Sequence, residues 1–298
     1  MKILVTGALG QVGKILVKKL IEEKINFVGL DKRDGDITGA KIIHTEITSK
    51  EDIKKYSTEL NDIDVLVHLA SLITNDKDVI KSGSDSIDLN IKGTLNLLEF
   101  LPNLKSIIFS STYMVYGTPD SNPIKEDHPT NPNVVYGASK LSTEKFLQIF
   151  AKESGITLSI LRIMGIYNVE KPHGQAIPSF VKMIANNESP VIFGTGSIKR
   201  NHLYIDDAID AIITTIKNPK NGVFNIGGLD SPSNLELIKI INDIMGKNIE
   251  PIFKESDSKP YDFITDISKA KKELGFKPKI KIEEGIKKTI KNYVKNGW

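Results

Sequence analysis

Short, unbroken apolar runs alternate along the first half of this chain with longer stretches of helical spacing. Lys2-Ile3-Leu4-Val5, Phe27-Val28-Gly29-Leu30, Ile42-Ile43-His44, Val65-Leu66-Val67-His68-Leu69, Ser106-Ile107-Ile108-Phe109 and Leu158 to Ile163 read as strands. Between them the spacing predicts helices over Gly13 to Glu23, Lys50 to Leu60, Leu89 to Phe100 and Tyr136 to Ser154, the last two stopped by Pro102 and Gly155. Strands that are apolar at consecutive positions bury both faces, and their alternation with helices predicts a parallel sheet covered on both sides. The expected fold class is therefore α/β, a doubly wound parallel sheet.

After Arg162 the rhythm changes. A Pro- and Gly-bearing stretch, Lys171-Pro172-His173-Gly174, leads to a predicted helix from Ser179 to Asn186, a strand at Val191-Ile192-Phe193 and a turn at Gly194-Thr195-Gly196. Asp206 to Ile216 reads as a helix and Val223-Phe224-Asn225-Ile226 as a strand, and this pair is expected to return to the main sheet. Helices over Asn234 to Met245 and Glu283 to Val294 close the chain. The expected division is a dinucleotide-binding domain over 1–165, rejoined by 201–226, and a smaller C-terminal α/β substrate lobe formed mainly from 166–298.

Composition narrows the function. The chain has 298 residues, with 40 Lys plus Arg against 37 Asp plus Glu. Such a balance gives no global field of the kind that nucleic-acid binding uses. Late lysines from Lys269 to Lys295 are interleaved with Glu273, Glu283 and Glu284, as on the wet face of an amphipathic helix. There are no cysteines, which excludes disulfides, thiolate metal sites and cysteine nucleophiles. The five histidines are scattered without ligand-like pairing, no apolar run approaches membrane-spanning length, and the chain enters a strand at Ile3 without a leader pattern. The expectation is a cytoplasmic protein with no metal, no membrane and no nucleic-acid partner.

Chemistry concentrates at three places. Gly7, Gly10 and Gly13 stand at fixed steps between a predicted strand and helix. A turn of this kind lets backbone approach a pyrophosphate closely and aims helix N-terminal amides at it, as in Rossmann-type folds. The candidate cofactor set is therefore Gly7, Gly10, Gln11, Val12 and Gly13. Asp31, 18 residues beyond Gly13, ends the next strand, where a carboxylate accepts hydrogen bonds from adenosine ribose hydroxyls and repels a 2′-phosphate. NAD is favoured over NADP, although Lys32 and Arg33 offer a phosphate site if Asp31 turns aside. Finally, Tyr136 and Lys140 are four apart on a predicted helix and share one face, where an adjacent ammonium favours the ionised phenol.

With these residues in hand, the chain resembles the extended short-chain dehydrogenase/reductase family, in its nucleotide-sugar epimerase and dehydratase branch. The likeness runs through Thr6 to Gly13, His68-Leu69-Ala70-Ser71, Asn90 to Thr94, Ser110-Ser111-Thr112 with Val115-Tyr116-Gly117, and Tyr136 to Lys140. It continues through Leu161-Arg162, Gly194 to Arg200, Tyr204 to Asp207, and Phe224-Asn225-Ile226-Gly227. The resemblance implies NAD-dependent hydride chemistry on a hydroxyl-bearing carbon, with Tyr136 as base and acid and Lys140 as its activator and ribose contact. It also implies Thr112 as the orienting hydroxyl, Leu69 and Ala70 against the cofactor, Arg200 on a nucleotide-sugar diphosphate, and Asn90 shaping the site. A homodimer packed through Leu89 to Phe100 and Tyr136 to Ser154 is a further implication. The implied reaction is 4-epimerisation of a UDP-hexose through a transient 4-keto sugar.

Some positions depart from the pattern. Tyr113 and Met114 stand where 4,6-dehydratases carry an acidic pair, which argues against that activity. Gly165 replaces a frequent asparagine, and Lys259 stands where many relatives use a second phosphate-binding arginine. The glycine turn and Gly165 are also similar to short-chain-type L-threonine 3-dehydrogenase. That activity, nucleotide-linked keto-sugar reduction and a non-catalytic NAD-binding scaffold are the alternatives; Arg200 has the competing reading of a surface partner for Asp206 or Asp207.

Overall fold

Seven parallel strands form the central sheet of the computed structural model, which describes residues 1–73, 78–167, 175–255 and 261–297. They are β1 (Ile3–Thr6), β2 (Phe27–Asp31), β3 (Ile42–His44), β4 (Val65–His68), β5 (Ser106–Thr112), β6 (Thr157–Ile163) and, later in the chain, β10 (Gly222–Ile226). Their order across the sheet is β10-β6-β5-β4-β1-β2-β3. Chain order runs one way from β1 to β3 and the other way from β4 onward, so direction reverses between β1 and β4. In open parallel sheets a crevice at such a reversal, beyond the carboxyl ends of the strands, receives the ligand. Register places Thr6 between Leu30 and His68, so all three side chains meet at that reversal.

Each face of the sheet has its own apolar layer. Leu16, Val17 and Leu20 of α1 (Gln11–Glu22) pack with Ile209, Ile212 and Ile216 of α8 (Ile205–Lys217) on one face. Ile53 of α2 (Lys50–Lys54), Leu60 of α3 (Ser57–Leu60) and Leu147 of α6 (Val135–Ser154) cover the other. Burial on both faces explains why the strands read as continuous apolar runs. Val223 to Ile226 does return to the sheet, as β10 beside β6.

The remaining elements gather above the carboxyl ends. They comprise a pair of parallel strands, β7 (Gly165–Tyr167) and β9 (His202–Tyr204), a second parallel pair, β8 (Val191–Phe193) and β11 (Ile252–Lys254), and the helices α7 (Ala176–Ala185), α9 (Asn234–Met245) and α10 (Ile282–Asn296). The start of α9 carries a capping box, in which Ser233 and Glu236 each satisfy the other's backbone amide. Helix α7 begins three residues before the expected Ser179, because Pro178 falls in its first turn, where the missing N–H has no helical partner to lose.

Two other helix boundaries differ from expectation. Lys50 to Leu60 is broken after Lys54, where the Ser57 hydroxyl hydrogen-bonds the Lys54 carbonyl and competes with the helical ladder. The helix expected from Leu89 starts ten residues earlier. It runs as α4 (Val79–Ser86), a π-helical stretch Ile87–Gly93 and α5 (Thr94–Leu98). Polar residues and Gly83 hid the first part from a periodicity search, and the Asp78 carboxylate caps it through the Lys81 amide. The expected breaker at Lys171 to Gly174 and the position of Lys259 lie outside the described residues. Among the described residues, no helix is long and apolar enough to cross a membrane.

Candidate active site

The glycine turn wraps the start of α1 against the end of β4. Gly7 has φ +68°, and a β-carbon there would lie 2.9 Å from the Ala70 amide nitrogen. One on Gly13 would lie 2.0 Å from the Gly7 carbonyl oxygen, so the first turn of the helix packs directly on the loop that feeds it. Thr6 Oγ1 ties this corner together. It accepts from the Ala70 amide at 3.1 Å and lies 2.7 Å from His68 Nδ1. Gly10, the N-cap of α1, brings no side chain to the helix end, and Gln11 and Val12 open the helix with no acidic residue in its first turn. Gly7, Gly10, Gln11, Val12, Gly13, Leu69 and Ala70 thus form one amide-lined corner at the reversal point, with the Arg33 guanidinium beside Gly10.

Asp31 faces that corner from the end of β2. Its carboxylate accepts from the Leu9 amide at 2.8 Å, the Arg33 amide at 3.0 Å, and Arg33 Nε and Nη2 at 2.9 and 2.7 Å. Burial pushes the acid upward, but the Arg33 side chain and the two amides together hold it below the ordinary carboxylate range. Asp31 does not turn aside, so the phosphate pocket that Lys32 and Arg33 offered on paper is not formed. Arg33 is committed to Asp31, and Lys32 pairs with Glu46 at 3.2 Å.

At the other end, β5 and α6 are drawn together by Gly137. A β-carbon there would sit 2.6 Å from the Met114 carbonyl oxygen, so only glycine lets the first turn of α6 press on the 3-10 turn Tyr113–Tyr116. This contact brings Tyr136 to the end of β5, where Thr112 lies. Thr112 is buried, and its hydroxyl oxygen caps the Met114 amide at 3.3 Å, leaving the hydroxyl proton free to be donated. The Tyr136 hydroxyl lies 3.5 Å from Ser71 Oγ, at the end of β4.

Lys140, one turn further into α6, is almost wholly buried, with Nζ 4.2 Å from the centre of the Phe109 ring. No hydrogen-bond acceptor among the described residues meets this ammonium. Burial brings it down to about 7, with the Glu144 carboxylate pulling the other way. Burial also raises the Tyr136 phenol above its ordinary value, against a smaller downward pull from Ser71. The sequence reading assigned the ionised phenol to Lys140; in the structure desolvation of both groups outweighs that effect. The amide-lined turn and an unaccompanied buried ammonium together fit a polyanionic dinucleotide rich in ribose hydroxyls.

Behind Lys140 lies a second arginine fork. Arg162 Nη2 and Nε meet the two oxygens of Glu144 at 2.7 and 3.1 Å, and the Ser111 hydroxyl donates to the same carboxylate. Asn90, in the π-helical stretch, accepts from the Leu72 amide at 2.8 Å and donates to Ser139 Oγ at 2.9 Å, locking the β4 loop to α6. A one-residue widening of the helix at such a place re-aims a side chain. Ser71, Ser111 and Glu144 were not assigned from the sequence. Ser71 fell inside a quoted motif, and Glu144, four residues past Lys140, was the only cue to a paired carboxylate on that face.

Arg200 stands apart from both ends, bridging to Phe263 and lying 5.7 Å from the Tyr261 ring centre. It makes no ion pair among the described residues, so its reading as a partner of Asp206 or Asp207 fails. Asp206 lies 3.9 Å from Lys288, and Asp207 accepts from the amides of Lys279 and Ile280. Tyr113 packs edge-on at 5.0 Å against Phe263, the residue that bridges to Arg200.

A doubly wound sheet with a glycine turn at its reversal point and a Tyr–Lys pair one helical turn apart, the lysine buried, defines a dinucleotide-dependent oxidoreductase-type enzyme. Residues 3–227 match the model of the NAD dependent epimerase/dehydratase family, and the chain belongs to that family. It is 34% identical over 306 residues to a Methanocaldococcus jannaschii protein provisionally named a UDP-glucose 4-epimerase, covering 99% of this chain and 98% of that one. The crystal structure of UDP-glucose 4-epimerase with UDP-glucose from Thermotoga maritima superposes with a TM-score of 0.89 at 30% identity, covering 99% of each chain. UDP-glucuronic acid 4-epimerase from Bacillus cereus in complex with NAD gives 0.86 at 29%, again covering 99% of each.

Proposed function

We propose that the protein is an NAD-dependent nucleotide-sugar 4-epimerase acting on a UDP-hexose, with Tyr136, Lys140 and Thr112 as its catalytic groups. The observation that carries this reading is the half-buried Tyr136 and the buried Lys140 one turn apart on the same helix, with the Tyr136 hydroxyl within reach of Ser71 and at the crevice of a sheet that belongs to this family. Bound NAD would accept the C4 hydride and give it back to the other face of the keto sugar, and its positively charged ring would add to the field that favours phenolate. Tyr136 takes the proton from the sugar 4-hydroxyl and returns it after the keto sugar has presented its other face. Thr112 hydrogen-bonds the same oxygen through its hydroxyl proton, and Ser71 does so from the loop after the neighbouring β4. Lys140, without a protein acceptor, holds ribose hydroxyls through its ammonium. The adenosine end is held by Asp31, with Gly7, Gly10, Gln11, Val12 and Gly13 at the pyrophosphate and Leu69 and Ala70 along it.

Arg200 grips the substrate diphosphate. Its planar fork suits two phosphate oxygens, and among the described residues no carboxylate pairs with it. Met114 provides no acid or base for the extra proton transfers of a dehydratase, which favours simple epimerisation. A homodimer accords with the apolar residues exposed on two mutually packed elements, Ile80 and Ile87 on the α4 side and Phe146 and Ile149 on α6.

The test is Tyr136→Phe assayed for interconversion of UDP-glucose and UDP-galactose. Turnover is expected to fall by about 10²–10⁴, with NAD binding measured by calorimetry unchanged. Turnover that persists at the wild-type rate would refute the assignment.

A further inference from the structure

The carboxylate of Asp31 has no acceptor capacity left. An ionised carboxylate offers about four lone-pair positions, and four donors reach Asp31. Oδ1 takes the Arg33 amide and Nε; Oδ2 takes the Leu9 amide and Nη2. Adenosine ribose hydroxyls that are to donate here must replace at least one of them.

Only one donor group can leave cheaply. The Leu9 amide belongs to the glycine turn, whose backbone is clamped by the contacts of Gly7 and Gly13. The Arg33 amide is held from its other side, because the Arg33 carbonyl oxygen lies 3.0 Å from His44 Nδ1 on β3. The Arg33 side chain has no such anchor, being 54% exposed while its partner is 3% exposed. Its position also obstructs, since Nη2 lies 3.4 Å from where a β-carbon on Gly10 would stand. The guanidinium therefore rests over the same turn that the dinucleotide has to enter.

We propose that the Arg33 side chain is a displaceable latch on the adenosine-ribose site, competing with the ribose hydroxyls for Asp31. It is a determinant of cofactor affinity and exchange, separate from the groups that perform the chemistry. This inference rests on the reading that NAD binds at the glycine turn. Removing a competitor strengthens binding, whereas removing a contact weakens it, so the sign of the change decides the matter.

The experiment is calorimetric titration of NAD into cofactor-stripped wild type, Arg33→Ala and Arg33→Met, with nicotinamide mononucleotide as a probe that lacks the adenosine ribose. Both variants are expected to bind NAD about two- to fivefold more tightly, the range expected for breaking a half-exposed ion pair. Nicotinamide mononucleotide is expected to bind all three proteins alike. Equal or weaker NAD binding in both variants would overturn the latch. Failure of folded wild type to bind NAD at all would instead overturn the cofactor reading on which it rests. Faster release of NAD from wild type than from Arg33→Met, followed by stopped-flow fluorescence, is the expected kinetic counterpart.

Discussion

Two Arg–carboxylate forks of the same chemistry stand at opposite ends of this site, and their surroundings give them opposite behaviour. Arg33 grips Asp31 beside the glycine turn with its side chain 54% exposed; Arg162 grips Glu144 behind Lys140 with 4% and 0% of the two side chains exposed. In water the attraction of the first pair is screened and its long side chain regains freedom on release. The second pair has no water to replace either partner, and it is held further by Ser111 and by the Tyr116 ring, 4.8 Å from the Arg162 guanidinium. The wet fork can open for a ligand. The dry fork is scaffolding that keeps α6, and hence Tyr136 and Lys140, against β5 and β6.

The largest test of this contrast is Glu144→Ala. It strands the Arg162 charge in the interior, and the expected loss is about 3–5 kcal/mol of stability, measured by urea denaturation. A loss below about 1 kcal/mol would place the two forks in one class.

Acid titration sharpens the picture of a dry catalytic end. His68 stacks at 5.9 Å on the Phe109 ring that also carries Lys140, and it lies between Thr6 and Thr94. Burial, with a smaller contribution from the Lys140 charge, holds it down to about 3. Between about 6.5 and 3 the unfolded chain binds a proton that the folded chain refuses. Stability should therefore fall as pH drops through that window, by on the order of a few kcal/mol. His68→Gln retains hydrogen-bonding groups for both threonines and should flatten the profile; an unchanged acid dependence would show that His68 does not set it.

The smallest expected effect is that of Arg33→Ala on stability. Asp31 keeps the two backbone amides, so the unfolding free energy from urea denaturation should change by no more than about 1 kcal/mol even as NAD affinity changes. A loss of the size expected for Glu144→Ala would make Arg33 part of the scaffold.

The strand rhythm, the glycine turn, Asp31 and the Tyr136–Lys140 pair were legible because each depends on local rules: continuous apolar runs, glycine at fixed steps and a four-residue helical repeat. The return of β10 to the sheet was also visible in its apolar run. What the local pattern could not carry was partnership across the chain. Ser71 meets Tyr136 across 65 residues, and Arg162 meets Glu144 only because β6 lies beside β5 under α6. The π-helical stretch that aims Asn90 has no periodicity of its own to betray it.

Sequence alone determined the class of fold and the residue types of the site, since both follow from short-range sterics and hydrophobic spacing. Tertiary structure alone decided the electrostatics. It commits Arg33 to Asp31, leaves Arg200 without an ion pair among the described residues, and places Lys140 where burial outweighs its neighbours. Desolvation and charge pairing depend on which side chains and how much water surround a group, and only the packed chain sets those.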